Sequence, residues 1–145
     1  MIFTKLMKNN RLYLSEYAIE EASCNNDFVN TYYYNIILNH RVVGICDLRV
    51  GMNEELYYAG NIGYHIYERY RGNGYAYLAC LELFKIAKEK FKMASLIITC
   101  SPENIGSRKT IEKLDGILLE TVDVPSSHWL YERGEKIKNI YRFYL

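Results

Sequence analysis

The chain has 145 residues, half of them hydrophobic and 24% charged, and its 18 basic and 17 acidic side chains leave a net charge of +1. That length suits one domain burying roughly 68–70% of its unfolded surface, and we expect a single domain over 1–145. The near balance of charge offers no global field to concentrate nucleic acid, and nothing approaches the ~18 uninterrupted apolar residues of a membrane span, so neither partner is expected and any anionic ligand must be caught locally.

In chain order, residues 1–7 read as a first strand and 12–22 as a short helix with Leu12, Ala18, Ile19 and Ala22 apolar. Residues 32–38 and 41–50 read as strands, the second alternating Val42, Gly44, Cys46, Leu48 and Val50 against Arg41, Asp47 and Arg49. Asn39-His40 between them suits a two-residue hairpin turn, because asparagine tolerates positive φ. Residues 60–67 read as a further strand. The period then changes: Ala76, Ala79, Cys80, Leu83, Phe84 and Ala87 recur at helical spacing within 74–91. Residues 96–99 form an apolar run suited to a strand covered on both faces. A second helix is expected over 105–114, with Asn104 as N-cap and Gly116 near its end. Two strands, 116–124 and 137–145, finish a mixed, mostly antiparallel α+β arrangement with helices on its faces.

Cys24, Cys46, Cys80 and Cys100 are scattered without metal-ligand spacing and read as buried thiols, so no metal is expected. The first residues lack an apolar run of signal-peptide length, and a cytoplasmic location is expected. Most of the 15 tyrosines suit strand positions, with a minority available to line a pocket.

The junction at residues 66–77 carries the chemistry. A glycine-rich loop entering a helix exposes backbone N–H groups without intrahelical partners, at the positive end of the helix dipole. Gly72 and Gly74 let the backbone approach a ligand, and Arg71 places a charge at the rim. The parts form an anion cradle suited to a pyrophosphate. No Gly-Lys-Ser/Thr occurs, which excludes a P-loop, and Tyr77 stands where the dinucleotide fingerprint needs its third glycine. A plain tight turn before a helix is the competing structural reading.

Arg71, Gly74 and Ala76 match R-x-x-G-x-A, which resembles the Q/R-x-x-G-x-G/A pyrophosphate motif of the GNAT superfamily of N-acetyltransferases. A second segment follows in the expected order, with Asn104 and Ser107 similar to the family's N-x-x-S/A after its fifth strand; the resemblance covers roughly residues 32 to 124. It implies the GNAT-type α+β fold, with strands four and five splayed around the coenzyme. It also implies acetyl-CoA as cosubstrate, and acetyl transfer to the primary amine of a small molecule or peptide by direct attack. Backbone at Ile66 and the side chain of Asn104 would hold pantetheine, with Ser107 nearby in the coenzyme site on the next helix. The amides of Arg71, Gly72, Asn73, Gly74, Tyr75 and Ala76 would hold pyrophosphate. A coenzyme-binding regulatory module without turnover is the alternative.

The sequence departs from the family twice. Ile111 stands where a tyrosine often acts as general acid, and Gly60 where some members carry a basic glutamate. Glu54, Glu55, Tyr64 and His65 are the nearby candidates for the base. Tyr64 shares a strand face with Ile66 while His65 points away, so Tyr64 is the expected catalytic residue, acting as base through a water; a structural sheet tyrosine is the competing reading. His128 and Trp129, in a loop, border the acceptor site or simply pack on the sheet edge. The short N-terminal portion implies an open acceptor pocket, which a homodimer would complete.

Overall fold

The computed structural model describes residues 12–22 and 29–145; the strand expected over 1–7 and Cys24 lie outside them. At its centre is the hairpin of β2 (Asn30–Leu38) and β3 (Arg41–Val50), paired antiparallel. Asn39 and His40 turn between them at φ +50° and +67°, the double positive φ that matches strand twist in a two-residue loop. Regular alternation in β3 is interrupted where the register shifts between Ile36 and Ile37. This bulge buries Val43 and turns Val42 out to 41% exposure, while Gly44, Cys46 and Leu48 stay on the core face.

Residues 12–20 are β1 (Leu12–Glu20), a strand and not the expected helix. It pairs antiparallel with β2 from Leu12↔Leu38 to Glu20↔Thr31. Helical spacing of four apolar residues is a weak signal in so short a segment. Pairing with β2 outweighs it, because the sheet satisfies the β1 backbone and suits its two tyrosines.

A short helix that the sequence reading missed, α1 (Glu54–Ala59), leads to β4 (Ile62–Ile66), which pairs with β3 to complete the sheet β1-β2-β3-β4. Its signals were present: Asn53 Oδ1 accepts from Leu56 N–H at 2.7 Å, and two glutamates occupy the first turn. A one-turn 3₁₀ segment, Glu68–Tyr70, and the glycine loop feed α2 (Tyr75–Glu89). Ala79, Cys80, Leu83 and Ala87 of α2 are fully buried, and the helix packs on β1, β3 and β4.

A second sheet has the order β5-β7-β6, from β5 (Ser95–Cys100), β6 (Ile117–Asp123) and β7 (Ile137–Tyr144), antiparallel throughout. Leu96, Ile97 and Ile98 are all about 2% exposed, as a strand covered on both faces requires. Helix α3 (Ile105–Lys113) joins α2 on one side, and α1 packs on β5 and β7 from the other. The expected loop around Trp129 contains a four-residue helix, α4 (Trp129–Glu132). No helix among the described residues is long and apolar enough to cross a membrane.

The two sheets touch through one residue before they diverge. Asn61 is 1% exposed, and its backbone N–H donates to Ile97 O (2.7 Å) while its C=O accepts from Arg49 N (2.7 Å). Its Oδ1 accepts from Ile97 N (2.8 Å), and its Nδ2 donates to Arg49 O and Gly51 O (both 2.8 Å). One residue therefore stands in for a rung of sheet between β3 and β5, with every donor and acceptor used. Gly60 makes the approach possible: at φ +82°, its missing Cβ would stand 3.2 Å from Ile97 O and Thr99 N.

Replacing Asn61 with alanine strands three backbone groups of this joint, so stability is expected to fall by about 3 kcal/mol or more. Urea unfolding checks it, through a midpoint lowered with little change of slope.

A second expectation concerns alkaline pH. Burial pushes the thiol of Cys80 up to about 12 and that of Cys46 higher still, and it raises the buried Tyr34 hydroxyl to about 12. Each folded value lies above the unfolded one, so their stabilising effect is complete below pH ~8.5 and is lost as pH rises through the folded values. Unfolding midpoints measured from pH 8 to 11 should fall steeply, and Cys80→Ala should flatten the decline.

Candidate functional site

Beyond Asn61 the strands β4 and β5 splay, and a cavity opens on each side of the gap. The larger, about 540 Å³, lies between the end of β4, the glycine loop and the start of α3. Every expected coenzyme-binding residue except Asn73 lines it. Asn73 instead secures the loop, donating from Nδ2 to Tyr70 O at 3.0 Å.

The loop conformation follows from its glycines. Gly72 and Gly74 have φ +83° and +75°, and a Cβ on either would meet nothing within 4 Å. Glycine is therefore needed for backbone conformation, and the space that a side chain would enter is left to the cavity. Gly74 is the N-cap of α2 and offers no side-chain cap. The first-turn amides of Tyr75, Ala76 and Tyr77 thus lack helical partners at the positive end of a 15-residue dipole. Arg71 folds inward, its Nε donating to Ile66 O at 2.9 Å, which fastens the loop to the end of β4.

The smaller cavity, about 290 Å³, lies on the other side of the splay, walled by β4, β5, α4 and the start of β7. Tyr64, Asn104 and Ser107 line both cavities and so form the boundary between them. Asn104 is the N-cap of α3, its Oδ1 accepting from Ser107 N at 3.1 Å. The cap role and an outward-facing amide group coexist, because the cap uses only the oxygen.

Tyr64 lies on the strand face of Ile66, as parity requires, and its hydroxyl donates to Ser107 Oγ at 3.1 Å. Burial raises the Tyr64 pKa and the Ser107 hydrogen bond opposes this in part. Such a hydroxyl stays protonated at neutral pH, which equips it to donate a proton and works against the expected role as base.

His65, expected to point away, also lines the larger cavity; the other candidates are placed elsewhere. Ile111 is fully buried in the core, so that position presents nothing to either cavity. Gly60 is committed to the joint with β5. Glu54 and Glu55 stand on α1 outside both cavities, and Glu55 pairs with His128 Nε2 at 3.1 Å. His128 is 3% exposed: its Nδ1 accepts from Leu130 N (3.1 Å) and its Nε2 meets Glu55 O (2.8 Å). It is a structural pin for α4, whereas Trp129 lines the smaller cavity. The sequence reading missed Arg133, Glu135 and Lys138 in that wall; their spacing carries no motif, and only the α4–β7 turn brings them to the splay.

Comparison with known proteins bears on family and fold. Residues 7–116 match the family model described as an acetyltransferase (GNAT) domain. Over 70 residues the chain is 31% identical to the uncharacterised N-acetyltransferase YjdG of Bacillus subtilis (strain 168), covering 48% of this chain and 41% of the relative. The ribosomal-protein-S5-alanine acetyltransferase from Vibrio fischeri superposes with TM-score 0.63 at 15% identity, over 99% of this chain and 67% of that one. The microcin C7 self-immunity acetyltransferase MccE, solved with acetyl-CoA and AMP, superposes with TM-score 0.60 at 16% identity, over 79% and 61%. The chain thus spans about two-fifths of the curated relative's length, and the structural likenesses speak for the fold alone.

Proposed function

Since the chain belongs to the GNAT acetyltransferase family, we propose that it moves an acetyl group from acetyl-CoA to a primary amine by direct attack. The observation that carries this reading is the meeting of two cavities at Tyr64, Asn104 and Ser107 through the β4–β5 splay. Two substrates entering from opposite sides would meet there without an acyl-enzyme.

The residues fit the coenzyme. The unpartnered amides at the start of α2, with open space at Gly72 and Gly74, suit a pyrophosphate. The end of β4 at Ile66, which lines the larger cavity, and the Asn104 amide group suit the amide-bearing pantetheine arm. The coenzyme supplies an activated thioester: the amine nitrogen forms the new C–N bond as the C–S bond breaks, and sulfur departs with the electron pair.

What the chain adds is placement and a proton. Tyr64 takes the acid role that Ile111 leaves vacant, since its raised pKa keeps the proton available and Ser107 holds the hydroxyl in place. The proton lost by the amine goes to water, because the smaller cavity opens to solvent. Proximity of the two substrates supplies most of the acceleration. Acceptance of a small molecule or a peptide amine is compatible with this arrangement.

A coenzyme-binding module without turnover is the second reading, favoured by the burial of Ile111 and by the lack of room for a side chain at Gly60.

Calorimetry with acetyl-CoA should give micromolar binding that Gly74→Trp abolishes, because that variant strains a positive φ and fills the cradle. Absence of wild-type binding would refute the coenzyme site. Tyr64→Phe should lower kcat at least ~10-fold with the acetyl-CoA KM little changed; an unaltered kcat would remove Tyr64 from the chemistry. Binding without product from any amine would leave the second reading in possession.

A further inference from the structure

Charges in the wall of the smaller cavity narrow the acceptor. Four charged side chains line it, Arg49, Arg133, Glu135 and Lys138, and their partners decide what the cavity lacks. Lys138 is 6% exposed, and its Nζ is held by Glu135 at 2.6 Å, so those two charges cancel. Arg49 pairs through Nε with Asp47 at 2.9 Å and donates from Nη1 to Ala59 O and Gly60 O. Its Nη2 lies beside Gly63, 3.0 Å from where a Cβ would stand, and Asp47 Oδ1 is 2.6 Å from the same point, so the Asp47 carboxylate flanks it. Arg133 has no carboxylate partner among the described residues.

Arg133 is nevertheless held in place. Its guanidinium lies over the Trp129 ring, 5.5 Å from the centroid, in a contact that orients it without neutralising it. Its backbone N–H donates to Leu130 O at 3.1 Å, Leu130 is buried, and the His128 pin ties α4 to Glu55 on α1. The wall therefore offers one positioned guanidinium without a carboxylate partner among the described residues. It is a planar fork suited to a carboxylate.

Such a wall repels acceptors that are cationic throughout, and it favours an amine in its uncharged, nucleophilic form. A cavity of about 290 Å³ holds a molecule of amino-acid size. We propose that the acceptor is a small primary amine bearing a carboxylate, seated by Arg133. The proposal rests on the acetyl-transfer reading, which supplies the need for an amine in this cavity. It makes Arg133 a determinant of acceptor specificity, placed on the α4–β7 segment beyond the family-matched residues 7–116.

The test compares each of the twenty standard amino acids with its methyl ester, by ligand-observed NMR on the full chain with coenzyme A present. Acidic dipeptides form a third arm. At least one free amino acid should bind about tenfold more tightly than its ester, a difference worth ~1.4 kcal/mol. Arg133→Glu should erase that preference and Arg133→Lys should keep part of it. Acetyl-CoA calorimetry on the same variants should be unchanged, which separates a lost anion site from a lost fold. Equal binding of acids and esters by a wild type that binds acetyl-CoA overturns the carboxylate site alone. Tighter binding of the dipeptides than of any amino acid, lost in Arg133→Glu, supports the same site with a longer acceptor. A wild type that prefers acids but binds no acetyl-CoA retains the carboxylate site, while the acetyl-transfer reading fails.

Discussion

A single buried amide holds the two sheets together at the point where they begin to part. Asn61 bonds to Arg49 and Gly51 on one side and to Ile97 on the other, using its backbone and side chain alike. An ordinary ladder repeats its bonds along the strands and keeps them about 4.8 Å apart. Here the pairing between β4 and β5 stops after one residue, and the strands are free to diverge while their closed end stays fixed. Both cavities exist because of that arrangement. Each lies along the opened gap, and the side chains between them, Tyr64, Asn104 and Ser107, come from β4 and the start of α3.

The electrostatics on the two sides of the gap come from different sources. On the side of the larger cavity the positive potential belongs to the backbone. Two glycines at positive φ turn the chain into α2 and leave its first amides unpaired. On the other side it belongs to side chains, chiefly Arg133 over Trp129. Tyr64 sits between them with a hydroxyl that burial keeps neutral. A neutral donor at the boundary suits a reaction in which negative charge develops on a leaving group and then vanishes.

The features readable in advance were those written into consecutive residues. Asn39-His40 specified its turn because few residues other than glycine accept two successive positive φ values. The loop from Arg71 to Ala76 and the cap at Asn104 were legible for the same reason, since helix N-termini make local and obligatory demands. Residues 12–20 were misread because local periodicity there is ambiguous and the deciding partner, β2, begins ten residues beyond the strand's end. The Val43 bulge was likewise invisible, since it arises from register against β2. Helix α1 was marked by Asn53 and two glutamates, and it was overlooked only for its shortness.

By itself the sequence determined the hairpin, the two main helices and the glycine-rich loop that enters the first of them, whose physics lies within a few bonds along the chain. Only the tertiary structure decided which side chains meet at the gap. It set Tyr64 against Ser107, 43 residues apart, withdrew Ile111 into the core, and carried Arg133 to a wall shared with Arg49. Those relations depend on how strands cross and where a sheet stops pairing, and such long-range geometry leaves no period or motif in the order of residues.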